Sequence, residues 1–159
     1  MSDERNPYAA PGAKLADPPR RPGSPYKAVA LGLLTDFGGT FVFSILLSFV
    51  YAMSLAAGGT PPEQIEQAVR EVSPDTWYFW VATIGGGGFS VLGGYVCGRI
   101  ARQSEYTLGA ILAVTTLIIG FLIGDGGQDL GMSIVLNAAT VACVGLGAWL
   151  AKKSNRRPA

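Results

Sequence analysis

Four apolar runs, each long enough to cross a lipid bilayer, dominate this chain. They extend over about residues 28–57, 77–100, 106–123 and 132–151. An α-helix rises by about 1.5 Å per residue, so about 20 residues cross the hydrocarbon core of a membrane. The pattern therefore predicts an all-α protein, a bundle of four transmembrane helices within residues 27–151.

Small residues recur at every fourth position in the first two runs. The two rows are Gly32, Asp36, Thr40, Ser44, Ser48, Ala52 and Ala56, and Ala82, Gly86, Ser90, Gly94 and Gly98. Residues four apart lie on one helix face, and small residues there let membrane helices approach closely. We therefore predict that the two rows pack against each other. The third and fourth runs carry similar rows, so we expect a tight bundle with little room for a wide aqueous pore.

The regions outside the four runs are polar. Residues 1–26 hold six of the ten prolines, which predicts a disordered, proline-rich tail. Residues 152–159 form a short basic tail. In the first loop, Thr60 and Glu63 match a capping box with Pro61 at the first helical position. The apolar residues that follow recur with helical spacing, which predicts a short amphipathic helix that rests on the bundle or on the membrane surface.

Charge is low overall and unevenly placed. Only 14% of the residues are charged and 49% are hydrophobic, with a net charge of +1. Eleven of the 12 basic residues lie in the two tails, at Lys27 next to the first tail, or at Arg99 and Arg102 around the loop after the second run, and the other two loops hold only Arg70. Because cytoplasmic loops of membrane proteins are enriched in Lys and Arg, both termini are predicted to lie in the cytosol. The amphipathic helix would then lie on the outer side, where it could also act as a lid or dock a partner.

The sequence offers little catalytic or cofactor chemistry. It contains no histidine, and Cys97 and Cys143 both fall within apolar runs. The segment Gly85–Gly88 lacks the lysine and the preceding strand of a phosphate loop, and residues 124–131 carry too few carboxylates for calcium. We therefore predict no cofactor, no metal site, no nucleic-acid partner and no enzymatic activity.

Asp36 is the one charged residue inside the first apolar run. It follows Lys27 by nine residues, or about 13 Å along a helix. In an antiparallel neighbour, this depth corresponds to Ser90–Gly94. Ionisable groups at such a depth are costly and usually face a partner or a water-filled cavity. Asp36 is therefore either a structural carboxylate paired with Arg99 or Arg102, or a site that binds a proton or another cation.

Three segments resemble uncharacterised small bacterial inner-membrane proteins. These segments are Asn6–Pro11, Thr35–Thr40 and Gly93–Ala101. The resemblance implies a location in the bacterial inner membrane. More loosely, an acidic residue in the first of four helices is similar to the small multidrug-resistance transporters, although this chain has a longer leader and a helical first loop.

Two functions remain open at this point. We favour a structural or protein-interaction role, in which the lipid bilayer surrounds the bundle and a second copy or another membrane protein binds to it. The proline-rich tail and the amphipathic helix would supply the contact surfaces. The alternative is a small proton-coupled transporter that uses Asp36 and acts as a dimer.

Overall fold

The protein is a helical bundle. The computed structural model describes residues 23–102, 104–123 and 130–155. Its elements are α1 (Pro25–Leu33), a π-helical segment (Leu34–Gly38), α2 (Gly39–Ala57), α3 (Pro62–Arg70), α4 (Trp77–Ala101), α5 (Glu105–Ile123) and α6 (Leu130–Asn155). The first three elements form one continuous helix of 33 residues. This helix, α4, α5 and α6 are each long and apolar enough to span a membrane, which confirms the predicted fold class.

The helix boundaries lie close to those expected from hydropathy. The first helix begins at Pro25 and α6 continues to Asn155, so the edges of both predicted tails are helical. Gly23 also belongs to the described chain, and its N–H donates to the carbonyl of Ala101 at 3.2 Å. The rest of the N-terminal tail, most of the 124–131 loop and the last four residues lie outside the described residues.

Helix α4 is the centre of the bundle, because it packs against α1, α2, α5 and α6. We call the end of the bundle where α1 and α5 begin the terminal side, and the opposite end the α3 side. The core of the terminal side is a cluster of small and aliphatic residues, almost all of them fully buried: Ala28, Cys97, Ala101, Leu112, Ala113 and Val144. This half of the bundle is therefore closely packed.

The small-residue row of α4 does not face a single neighbour. Gly86 lies beside Thr40, and Ser90 reaches Asp36, so this part faces the first helix. Gly94 and Gly98 instead contact α6, where a Cβ on Gly94 would overlap the carbonyl of Val144. The prediction that Gly94 and Gly98 pack against the first helix is therefore corrected.

Helix geometry explains this correction. Successive α-helical residues are about 100° apart, so each step of four residues turns the row by about 40°. From Ala82 to Gly98 the row thus winds to another face of α4. On α4, the glycine that contacts the first helix is Gly93 rather than Gly94. A Cβ on Gly93 would lie 2.8 Å from the carbonyl oxygen of Gly32.

Helix α3 packs on the bundle through its apolar face. Ala68 and Val69 of α3, together with Val72 just beyond its end, contact a cluster on the α3 side that is built around Leu47, Tyr51 and Tyr78. The rings of Tyr51 and Tyr78 stack with centroids 4.7 Å apart. The hydroxyls of Tyr78 and Ser48 are hydrogen-bonded at 2.8 Å, and Ser44, one turn before Ser48, is half-buried.

The predicted start of α3 is wrong by one residue. Pro61 is the N-cap, Pro62 is the first helical residue, and no side chain caps the helix. The ring of a proline disfavours helical dihedrals in the residue before it, so Pro62 holds Pro61 in an extended conformation. The capping box expected at Thr60 therefore does not form.

Candidate functional site

Asp36 lies at the junction of three helices. Its side chain is buried, with 4% of its surface exposed. Ser90 on α4 donates a hydrogen bond to Oδ1 at 2.9 Å, and Thr116 on α5 donates one to Oδ2 at 3.2 Å. Each carboxylate oxygen therefore has one hydroxyl partner, and each partner belongs to a different helix.

The backbone around Asp36 is adapted to this junction. Asp36 is in the π-helical segment, where the wider turn inserts an extra residue into the first helix. Such single-turn π segments are frequent at functional sites. On the α4 side, the absence of a side chain at Gly93 lets the two helices approach, since a Cβ there would lie 2.9 Å from the Cβ of Asp36. The carboxylate can thus reach Ser90 directly.

The ion pair expected between Asp36 and Arg99 is not formed. Arg99 is near the terminal end of α4, where its Nη1 donates to Oδ1 of Asn155 at 3.0 Å. Arg102 is exposed and ends α4 in the left-handed conformation. Within the described ranges, the ion pair that forms is Glu66 with Arg70 on α3. Asp36 is therefore held by hydroxyl groups and not by a basic side chain.

A cleft of about 770 Å³ extends from Asp36 towards the α3 side. Asp36, Ser90 and Thr116 lie at one end, while Val72 and Tyr78 line the other. Ser90 follows Tyr78 by twelve residues on α4, which corresponds to about 18 Å along the helix axis. The buried carboxylate therefore lies at one end of an elongated cleft.

The course of the first helix explains why this cleft exists. Among the described residues, α1 packs against α4 and α5, whereas α2 packs against α3 and α4 and makes no close backbone contact with α5 or α6. The first helix therefore leaves α5 beyond the π-helical segment, and α4 forms the back wall of the resulting gap. The expectation of a uniformly tight bundle holds for the terminal side alone.

The cleft lining is mainly apolar and carries a series of small polar groups. Besides the groups that bind Asp36, the lining includes Thr40, Thr83, Thr140 and Cys143. Asp36 is the one charged residue among the described residues of the lining. The cleft therefore presents hydroxyl groups and a single carboxylate, an arrangement that favours a proton or a cation over an anion.

Sequence reasoning did not identify Thr116 as a partner of Asp36. Thr116 belongs to the row of small residues on the third run, for which the four-residue spacing predicts helix packing. The register of the two helices agrees with this contact, because Asp36 follows the start of α1 by eleven residues and Thr116 follows the start of α5 by eleven. Since both helices begin on the terminal side, the two residues lie at the same depth.

The fold and the site define a multi-pass membrane protein with a buried carboxylate at the inner end of an intramembrane cleft. Comparison of the chain with protein-family models, with curated proteins and with solved structures finds no match. The function of the protein is therefore inferred from the geometry of the chain itself.

Proposed function

We propose that the protein is a small membrane transporter in which Asp36 binds and releases a proton at the inner end of the cleft. The observation that carries this proposal is the pairing of a buried carboxylate with an open path to it. Asp36 is 4% exposed, has no basic partner among the described residues, and borders a cleft of about 770 Å³.

The two hydroxyl partners suit a carboxyl group that changes its protonation state. A serine or threonine hydroxyl can donate a hydrogen bond to a carboxylate and can accept one from a protonated carboxyl. Ser90 and Thr116 can therefore satisfy Asp36 in both states. An arginine partner would stabilise the charged state alone, and a buried charge without a counter-ion is costly until it is neutralised.

The packing of the terminal side supports a transporter that is closed on that side. Beyond Asp36, a Cβ on Gly32 would lie 3.0 Å from the Cβ of Cys97 and 3.2 Å from a methyl carbon of Leu112. Three helices thus meet with no room for a side chain. Release of a proton on the terminal side requires this contact to separate, and the adjacent π-helical segment is a natural bending point of the first helix.

Proton movement in liposomes tests the proposal. The purified protein is reconstituted into vesicles, a pH gradient is imposed, and the internal pH is followed with a trapped dye. We expect the wild-type protein to dissipate the gradient and Asp36→Asn to abolish this activity. The substitution keeps the shape and the hydrogen-bonding capacity of the side chain but removes its ability to exchange a proton.

Asp75→Asn is the matched control for this experiment. Asp75 is exposed, precedes α4 and lies outside the cleft lining, so the same chemical change there should leave proton movement intact. Thermal unfolding of each variant in detergent verifies that it folds. A wild-type protein that moves no protons, or an Asp36→Asn variant that moves them normally, would contradict the proposal.

We also propose that the protein resides in a bacterial inner membrane with both termini in the cytosol. On the terminal side, the described chain carries Lys27, Arg99, Arg102, Lys152 and Lys153, whereas the α3 side carries Arg70, which is paired with Glu66. This asymmetry follows the charge rule for membrane proteins. In this orientation, the cleft extends towards the outer side.

The structural or protein-interaction role favoured by the sequence stays a prediction. Its first expected surface, the proline-rich tail, lies mostly outside the described residues. Its second expected surface is the amphipathic helix α3. The apolar face of α3 is occupied by the bundle, which leaves the polar face for a partner. Neither surface has a structural feature as specific as the site around Asp36. No such feature supports the predicted dimer among the described residues either.

A further inference from the structure

A second cavity lies at the terminal side, where α5 begins and α6 ends. It has a volume of about 250 Å³ and is lined by Tyr106, Trp149, Lys152 and Lys153. The Nζ of Lys152 lies 4.2 Å from the centroid of the Tyr106 ring, and the Nζ of Lys153 lies 5.4 Å from that of Trp149. Each ammonium group is therefore positioned by an aromatic ring.

The cavity lies where the apolar parts of two spanning helices end. Tyr106 is in the first turn of α5, and the two lysines are in the last turn of α6. Tyrosine and tryptophan are enriched at the level of the lipid headgroups, and lysines near helix ends extend to the same level. The cavity is therefore expected at the depth of the headgroups.

The two lysines have no acidic partner in the part of the chain that the structure describes. The nearest acidic residue in sequence to the ring pair is Glu105, whose Oε1 accepts a hydrogen bond from Asn155 at 3.3 Å. The ion pair that the described residues form is on α3, at the other end of the bundle. Two ammonium groups that line one cavity repel each other, and an anion between them would offset this repulsion.

We propose that this cavity binds the phosphate headgroup of an anionic phospholipid. The lysines would contact the phosphate, and the rings of Tyr106 and Trp149 would pack against the glycerol and the first methylenes of the acyl chains. Basic pockets between transmembrane helices are known to suit such headgroups. A free phosphate ion could contact the lysines but has no apolar part to pack against the two rings. This site is separate from the cleft at Asp36 and does not depend on proton transport.

Native mass spectrometry of the detergent-solubilised protein tests the proposal. The protein is titrated with a phosphatidylglycerol and, separately, with a phosphatidylcholine that has the same acyl chains. We expect the anionic lipid to bind more tightly, and Lys152→Gln combined with Lys153→Gln to weaken its binding by about tenfold or more. Removing both ring faces with Tyr106→Leu and Trp149→Leu should weaken binding of the anionic lipid as well.

A second double variant controls for general charge attraction. Lys27→Gln combined with Arg102→Gln removes two exposed charges from the same side of the bundle, outside the cavity. We expect this variant to bind the anionic lipid as the wild type does. Equal losses in the two double variants, equal affinity for the two lipids, or full displacement of the anionic lipid by an equal concentration of inorganic phosphate would overturn the proposal.

Discussion

The two halves of the bundle use the same kind of residue in opposite ways. On the terminal side, glycines bring backbones together: a Cβ on Gly147 would overlap the carbonyl of Val91, and one on Gly94 would overlap that of Val144. On the α3 side, the ring of Phe43 covers Gly85, but a Cβ on Gly87 would come no closer than 3.5 Å to the sulfur of Cys143, and Gly88 has nothing within 4 Å of its Cβ position. At Gly87 and Gly88, the missing side chains leave volume that no neighbouring helix fills.

The difference shows that a row of small residues indicates only that the side chains on that helix face are small. It does not show that another helix contacts the face. Small residues make close contacts where a second helix packs nearby, as α6 does along the part of α4 that lies on the terminal side. Where the first helix diverges beyond the π-helical segment, the same low bulk widens the cleft. The position of a glycine along its helix therefore decides whether it stabilises the bundle or shapes the site.

The largest expected effect is on the close contact of the terminal side. Gly147→Ala places a methyl group against the backbone of α4, and we expect it to lower the free energy of unfolding by about 3 kcal/mol, since overpacking a tight contact costs about 1–3 kcal/mol. Gly145→Ala on the same helix is the control, because a Cβ there meets nothing within 4 Å. Thermal unfolding in detergent compares the two variants. Equal stabilities would mean that α4 and α6 do not meet as described.

A smaller effect is expected at the inner end of the cleft. Ser90→Ala removes a hydrogen bond to the carboxylate of Asp36, and hydrogen bonds to charged groups contribute about 1.5–3 kcal/mol. Unfolding free energies of Asp36→Asn, Ser90→Ala and the double variant should therefore be non-additive. The same cycle with Arg99→Gln in place of Ser90→Ala should be additive. Coupling to Arg99 and none to Ser90 would restore the ion pair that the sequence suggested.

The sequence predicts the spans of this protein well and their mutual orientation poorly. Hydropathy is a sum over residues, so the four spanning helices and the amphipathic helix α3 can be predicted from the composition along the chain. Which face of α4 meets which neighbour depends on the slow rotation of the small-residue row and on how far the first helix diverges. The rotation follows from the four-residue spacing of Gly86, Ser90, Gly94 and Gly98, but the divergence of the first helix and the neighbour that each face meets do not.

The site was predictable in part. The depth of Asp36 and its proximity to Ser90 follow from helical rise in antiparallel neighbours. The partner of Arg99 was missed because α6 continues to Asn155, four residues beyond its predicted end. The π-helical segment has no signal in the pattern of apolar residues, and without it the cleft between α2 and α5 could not be foreseen.

The two native cysteines offer a direct test of the contrast between the halves. Cys143 is half-buried and lines the cleft, whereas Cys97 is fully buried in the core of the terminal side. A small, water-soluble methanethiosulfonate reagent is added to the folded protein, and peptide mass mapping gives the extent of modification at each thiol. Unfolded protein is the control, since both thiols should react there.

This labelling measures whether water reaches the inner part of the cleft, on which the proposed role of Asp36 depends. The account predicts that Cys143 reacts in the folded protein while Cys97 stays protected until the bundle unfolds. Protection of both thiols, or modification of both at the same rate, would contradict an aqueous cleft in one half of the bundle and a closely packed core in the other.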